Sequence, residues 1–215
     1  MFYSLPPATW GLLIANTVIF LLQMAGGNAL LVYYFGLWPL TTTPLSDVLS
    51  GGTFMPWQLI TYSFLHGGVL HLLLNMYALY LFGADLERVF GERRYLALYF
   101  ASVLTAGVSQ LLWSALTYAP PFPTIGASGG VFGLLLAYGM YFPDRIVTLI
   151  FPPVALPARL FVILYGALEL YLGVTGTATG VAHFAHLGGM LGSYLVILYW
   201  RGGPRYHRWR GERRD

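Results

Sequence analysis

Few side chains in this sequence can do chemistry, and most of those come in three short stretches. Ser128 lies in "PTIGASGGVFG" (Pro123–Gly133), between glycines and at the start of an apolar run. His183 and His186 lie in "AHFAHLGG". His71 and Asn75 lie in "HLLLN", four residues apart and so on one face of a helix. A serine hydroxyl is a weak nucleophile until a neighbouring base takes its proton, and His186 is the candidate base. Acyl transfer also needs donors aimed at the developing oxyanion. A helix starting at Ser128 offers free backbone N–H groups and a positive dipole end. Asn75 adds a side-chain amide and His71 a ring N–H. Gly126 and Gly129 carry no side chain to block a substrate backbone, and Phe132, one turn below Ser128, can stack on an imidazole. The outer-side acids are Asp47 and Glu169, and neither is near His186 in sequence. A Ser128–His186 dyad is therefore the economical expectation.

Each stretch also has a plain packing reading. Gly126/Gly130 and Gly129/Gly133 sit at the spacing of small-residue helix contacts in membranes, as do Gly188/Gly192 and Gly189/Ser193. His71, Asn75 and His186 suit interhelical hydrogen bonds, and Phe132 suits ordinary packing. Close glycine-mediated approach of the last helix would nevertheless be needed to bring His186 to Ser128.

The elements that must position these groups are apolar spans. Of 215 residues, 57% are hydrophobic and 9% charged, against about 25% charged in soluble domains. Six spans are expected, over Ala8–Met24, Val69–Ala84, Tyr95–Leu116, Ser128–Phe142, Ala158–Val174 and Val181–Trp200; the second, fourth and fifth are short against the roughly 20 residues a full crossing needs. All eleven basic residues are arginine. They fall after the second, fourth and sixth spans, so basic loops kept in the cytoplasm place both termini inside. The first apolar run reads as a retained span, with no leader or transit-like segment. At 1.5 Å per residue, Ser128 and His186 each lie roughly 8 Å below the outer surface. Groups from three spans thus meet at one level, and ionisable or polar side chains in a span default to function.

The outer connector of residues 25–68 is rich in aromatics, Trp57 among them, and is expected to lie in the membrane interface. The domain reading is a six-helix membrane domain over residues 1–200 and a basic cytoplasmic tail over residues 201–215, suited to anionic lipid. Cysteine is absent, which excludes disulfides, thiolate zinc sites and cysteine nucleophiles.

Taken together, "GASG", "AHLGG" and "HGGVLHLLLN" resemble the motifs of the rhomboid family of intramembrane serine proteases, and "ERVFG" resembles its ExxxG motif. The resemblance covers nearly the whole chain. It implies an all-α, six-transmembrane-helix bundle with a membrane-embedded first outer loop. It implies Ser128 as nucleophile, His186 as base, and His71 and Asn75 as oxyanion donors. His66, Glu87 and Gly189 take structural roles. Two positions depart from the family: Gln58 follows Trp57 where an arginine is frequent, so anchoring of the loop by arginine is lost, and Phe132 stands where tyrosine is frequent in bacterial relatives.

The implied function is cleavage of other membrane proteins, single-pass or multi-pass, within their transmembrane segments near the outer face. Such substrates and the lipid bilayer are the expected partners, with no cofactor, no metal and no nucleic acid. The expected location is a bacterial plasma membrane. Two rivals remain at this level. One is a catalytically silent rhomboid-like protein that binds membrane clients. The other is a metal-dependent protein using a cluster of His66, His71, His183 and His186.

Overall fold

The computed structural model describes residues 5–40, 52–117, 122–149, 153–176 and 181–202. Helix α1 (Pro7–Leu22) begins at a proline pre-set for a first helical turn. The chain turns at Gly26, whose φ of 105° is open to glycine and strained for other residues, and continues as α2 (Asn28–Phe35). The first helix therefore ends close to Met24, and the connector of residues 25–68 opens with a helix. That connector also holds a short helix, α3 (Gln58–Thr61). Asp47 lies outside the described residues, as does the chain beyond Gly202 with most of the basic tail.

Helix α4 (Val69–Ala78) passes through one wide turn into α5 (Ala84–Phe90), a continuous run of 22 residues. The expected break at Ala84 is absent because Asp85, Glu87 and Arg88 all find partners at this end of the helix. Gly91, at φ 74°, reverses the chain into α6 (Glu92–Thr117). Helix α7 (Ser128–Tyr141) is buried on nearly every side, as expected for a helix apolar all round. Its 14 residues reach only about 21 Å. Residues Ile146–Leu149 (β1) and Val154–Pro157 (β2) add one short antiparallel hairpin to an otherwise helical fold. Helices α8 (Ala158–Thr175) and α9 (His183–Gly202) complete the described chain. Among the described residues, four helical runs are long and apolar enough to cross a membrane: residues 7–35, 69–90, 92–117 and 158–175.

Helix α6 packs on both α7 and α9, and the latter two pack on each other. Glycines set these distances. A methyl built at Gly192 would overlap Thr105, one at Gly188 would overlap Ser109, and one at Gly133 would overlap Ser102. In a bilayer, where lipid is as apolar as leucine, such close backbone approach is a main source of association.

One end of the bundle gathers the arginines. Arg145 and Arg88 both pair with Asp85. Arg94 lies over Trp200, Arg201 lies over Tyr141, and Phe90 touches both rings. The start of α1 belongs to the same end, because Glu87 caps it. Its carboxylate accepts the backbone N–H groups of Ala8 (2.9 Å) and Thr9 (2.7 Å) and the Thr9 hydroxyl (2.7 Å). A carboxylate there satisfies orphan donors and meets the positive end of the helix dipole. Glu87→Ala is expected to cost about 3 kcal/mol, since it strands buried donors; thermal unfolding in micelles would show it, with Glu87→Gln losing about half as much.

Candidate active site

The site lies at the opposite end from the arginines. Residues Phe122–Gly126 descend into the bundle in extended form. Leu37 and Thr124 exchange backbone hydrogen bonds of 3.0 and 2.9 Å, and Gly126 N–H donates to the Tyr62 carbonyl at 3.0 Å. The chain turns at Gly126 (φ 130°), and α7 starts two residues later with Ser128 at its first position. The short helix is thus begun below the end of the bundle, with its free N–H groups around the serine.

His186 arrives from α9. Its Nε2 stands 2.8 Å from Ser128 Oγ, within hydrogen-bonding distance of the hydroxyl. Phe132 stacks on the imidazole with centroids 4.1 Å apart and planes 6° from parallel. The approach of α9 depends on Gly189, where an added methyl would overlap the carbonyl oxygen of Gly129. Ser128 is half-buried and His186 buried.

The ring has a third neighbour. His186 Nδ1 lies 2.9 Å from Oε2 of Glu169 in α8, and His183 Nδ1 lies 2.6 Å from the same oxygen. The expectation of a histidine without a carboxylate partner is therefore corrected. The acid is 17 residues away in sequence but on the adjoining helix. A lone carboxylate in an uncharged span, at the depth of two histidines, was the signal that could have found it.

His71 sits on the other side of the serine. The Gly67 N–H donates to its Nδ1 at 3.2 Å, which leaves the ring proton on Nε2. That Nε2 faces Gly126: a methyl built there would come within 2.8 Å of it and 3.8 Å of Ser128 Oγ. Gly126 therefore keeps a gap open between donor and hydroxyl. Gly129 does not serve that purpose. A methyl there would strike Ala106 and crowd Tyr62, so its bareness accommodates α6 rather than a substrate. Asn75 is buried and donates one amide hydrogen to the His71 carbonyl at 2.9 Å, leaving the second on the same nitrogen.

The supporting residues are tied into the connector of residues 25–68. His66 is buried with its ring edge-on to His71, centroids 5.1 Å apart. Gln23 grips the His66 backbone on both sides, accepting its N–H at 3.0 Å and donating to its carbonyl at 3.2 Å. Trp57 is exposed and donates to the Tyr34 carbonyl at 2.9 Å. Gln58, fully buried, does the anchoring. Its Oε1 accepts from the N–H groups of Met55 and Trp38, and its Nε2 donates to the carbonyls of Tyr34 and Thr53. Neither glutamine was legible as a clamp, because the partners that make it one are distant backbone groups, His66 for Gln23 and Tyr34 and Trp38 for Gln58.

Burial, then the neighbouring His71, pulls the His66 pKa from its ordinary 6.5 down to about 4; the Phe64 backbone acts weakly the other way. Between those values the unfolded chain binds a proton that the folded one refuses, so stability falls as pH drops through that window. From pH 7 to pH 5 the loss is about 2 kcal/mol. The wild-type melting temperature is expected to fall more over that interval than that of His66→Phe.

The four described histidines form two ring pairs, His66 with His71 and His183 with His186. Glu169, His183 and His186 present ligand atoms within 4.8 Å of one another. Their 2.6 and 2.9 Å contacts are direct hydrogen bonds; zinc ligands each stand about 2.0–2.2 Å from a shared ion and so farther from one another.

The sequence matches the family model described as Rhomboid domain over residues 53–202. It is 35% identical over 158 residues to RHOMBOID-like protein 4 of Arabidopsis thaliana, covering 70% of this chain and 35% of that protein. RHOMBOID-like protein 5 of the same plant is 36% identical over 151 residues, covering 70% of this chain and 46% of the relative. Rhomboid protease GluP of Bacillus subtilis strain 168 is 30% identical over 146 residues, covering 65% of this chain and 25% of its own length. This chain thus matches a quarter to a half of the length of these curated relatives.

Proposed function

Since this chain belongs to the rhomboid family of multi-pass membrane proteins, we propose that it is an intramembrane serine protease with Ser128 as nucleophile and His186 as general base. The observation that carries the reading is the 2.8 Å contact between Ser128 Oγ and His186 Nε2, made at a helix start with the His71 N–H beside it.

The serine proton passes to His186 Nε2 as Oγ bonds to the scissile carbonyl carbon, and the carbonyl π pair moves to oxygen. The oxyanion is met by His71 Nε2–H, the second amide hydrogen of Asn75 and the backbone N–H at Ser128. Collapse breaks the C–N bond, and the imidazolium gives its proton to the departing amine. Water then attacks the ester, loses its proton to His186, and Oγ leaves with a proton restored. Glu87, Gln58 and Trp57 act at a distance by holding α1 and the outer connector.

Six spans are proposed, with both termini cytoplasmic and the site near the outer face, because the arginines gather at the end remote from Ser128. Residues 1–200 form the membrane domain and 201–215 a basic tail suited to anionic lipid. The substrates are transmembrane segments of other membrane proteins, cut where their helices unwind readily enough to expose a carbonyl. The charge pattern suits a bacterial plasma membrane. The test is cleavage of a transmembrane substrate by the purified chain in liposomes, with the product's new N-terminus sequenced. A cut near the outer face is expected. Binding of the substrate with no Ser128-dependent cut would leave a client-binding protein instead.

A further inference from the structure

We propose that Glu169 positions the general base: its carboxylate holds Nδ1–H of His186 and so keeps the Nε2 lone pair on Ser128. This rests on the serine–histidine reading above.

A histidine that accepts the serine proton at Nε2 must carry its own proton on Nδ1. That N–H is buried among apolar helices, where a donor without a partner costs about 1–3 kcal/mol. Glu169 Oε2, 2.9 Å away, is the acceptor. Stacking on Phe132 cannot substitute for it. The stack fixes the ring plane, but a half-turn of the ring within that plane's axis would preserve the stack and carry Nε2 away from the serine. A directional hydrogen bond to Nδ1 separates the two orientations. Once the serine proton has moved, the resulting imidazolium faces a carboxylate in low-dielectric surroundings, which stabilises the charge as it forms.

The carboxylate is itself held. His183 Nδ1, one turn before His186 on α9, takes the same Oε2 at 2.6 Å. Glu169, His183 and His186 are all buried, and the ion-pair partners of Glu169 among the described residues are these two rings. Burying a carboxylate in an apolar helix bundle is costly unless it is hydrogen-bonded. Two ring N–H donors on one oxygen meet that need and lock α8 to α9 beside the base.

The test uses the full chain in micelles with a transmembrane substrate. Glu169→Gln should lower kcat about 100-fold and leave KM within about threefold, because it disturbs proton transfer rather than binding. Glu169→Asp should recover part of the loss, and His183→Ala should cost less than about tenfold because Glu169 still faces His186. In the wild type, 15N spectra of His186 should show Nδ1 protonated and Nε2 bare.

A Glu169→Gln protein that melts earlier yet keeps kcat within about twofold would make Glu169 a helix tie only and overturn the proposal. So would a wild-type His186 protonated on Nε2, a measurement that needs no variant. Stoichiometric zinc with turnover abolished by a chelator would also overturn it, assigning the three side chains to a metal. Ser128→Ala is run in parallel. If that variant still cuts the substrate, the serine reading has failed; if it is dead while Glu169→Gln is fully active, only the role of Glu169 has failed.

Discussion

Ser128→Ala is expected to abolish both covalent labelling by a fluorophosphonate and cleavage of a transmembrane substrate, with a loss of at least 10³-fold on the scale of nucleophile removal in serine hydrolases. The physical ground is local. The Ser128 hydroxyl sits at a helix start, 2.8 Å from an imidazole nitrogen whose ring is fixed by a stack. Removing Oγ removes the bond-forming atom and leaves the stack, the helix start and His71 in place. Stability should therefore change by less than about 1 kcal/mol, within the usual range for losing one hydrogen bond. His186→Ala leaves the nucleophile without its base and should slow labelling about 10²–10⁴-fold. Turnover surviving in Ser128→Ala would end the assignment of the serine, whatever the fate of labelling.

Gly189→Ala should cost as much activity as Glu169→Gln, although the residue touches no substrate. Two effects oppose each other. Replacing glycine inside a helix by alanine favours the helix by about 1 kcal/mol. Against this, the methyl would occupy the position of the Gly129 carbonyl oxygen, a backbone atom one residue past the serine. Backbone cannot step aside as a flexible side chain can, so α9 must move off α7. Overpacking of this kind costs about 1–3 kcal/mol and outweighs the propensity gain. The displacement falls on the Ser128–His186 contact, where about 1 Å of misplacement costs on the order of 10²-fold in rate. The variant should fold, melt somewhat earlier, and cleave about 100-fold more slowly. Gly202→Ala is the internal control: it lies on the same helix with open space around its missing side chain, and should leave cleavage unchanged. Equal activity in the two variants would show that the α7–α9 distance does not govern the chemistry.

The main elements were legible because a membrane leaves little choice. A run of apolar residues in lipid must satisfy its backbone internally, so long uncharged blocks become helices and charged residues mark their ends. Helix starts at Val69, Ser128 and Ala158 follow from that rule almost to the residue. It fails where backbone satisfaction has a second route. The helix beyond Met24 turns at Gly26 and continues, and the connector after α7 pairs with itself as a hairpin. Both stretches are apolar, and hydropathy alone does not tell a kinked helix or a hairpin from a straight span.

The sequence by itself determined which residue types are available: one serine heading an apolar run, histidines on two later and earlier spans, and no cysteine. Periodicity and depth placed these at a common level, since rise per residue is nearly constant in a helix. What only the tertiary structure decided is which helix faces which. Depth along a span says nothing about rotation around the bundle, and that rotation is set by glycine contacts such as Gly189 on Gly129. It is what turned Glu169, taken from sequence as a distant acid, toward His186, and turned Gly129 away from the site into α6.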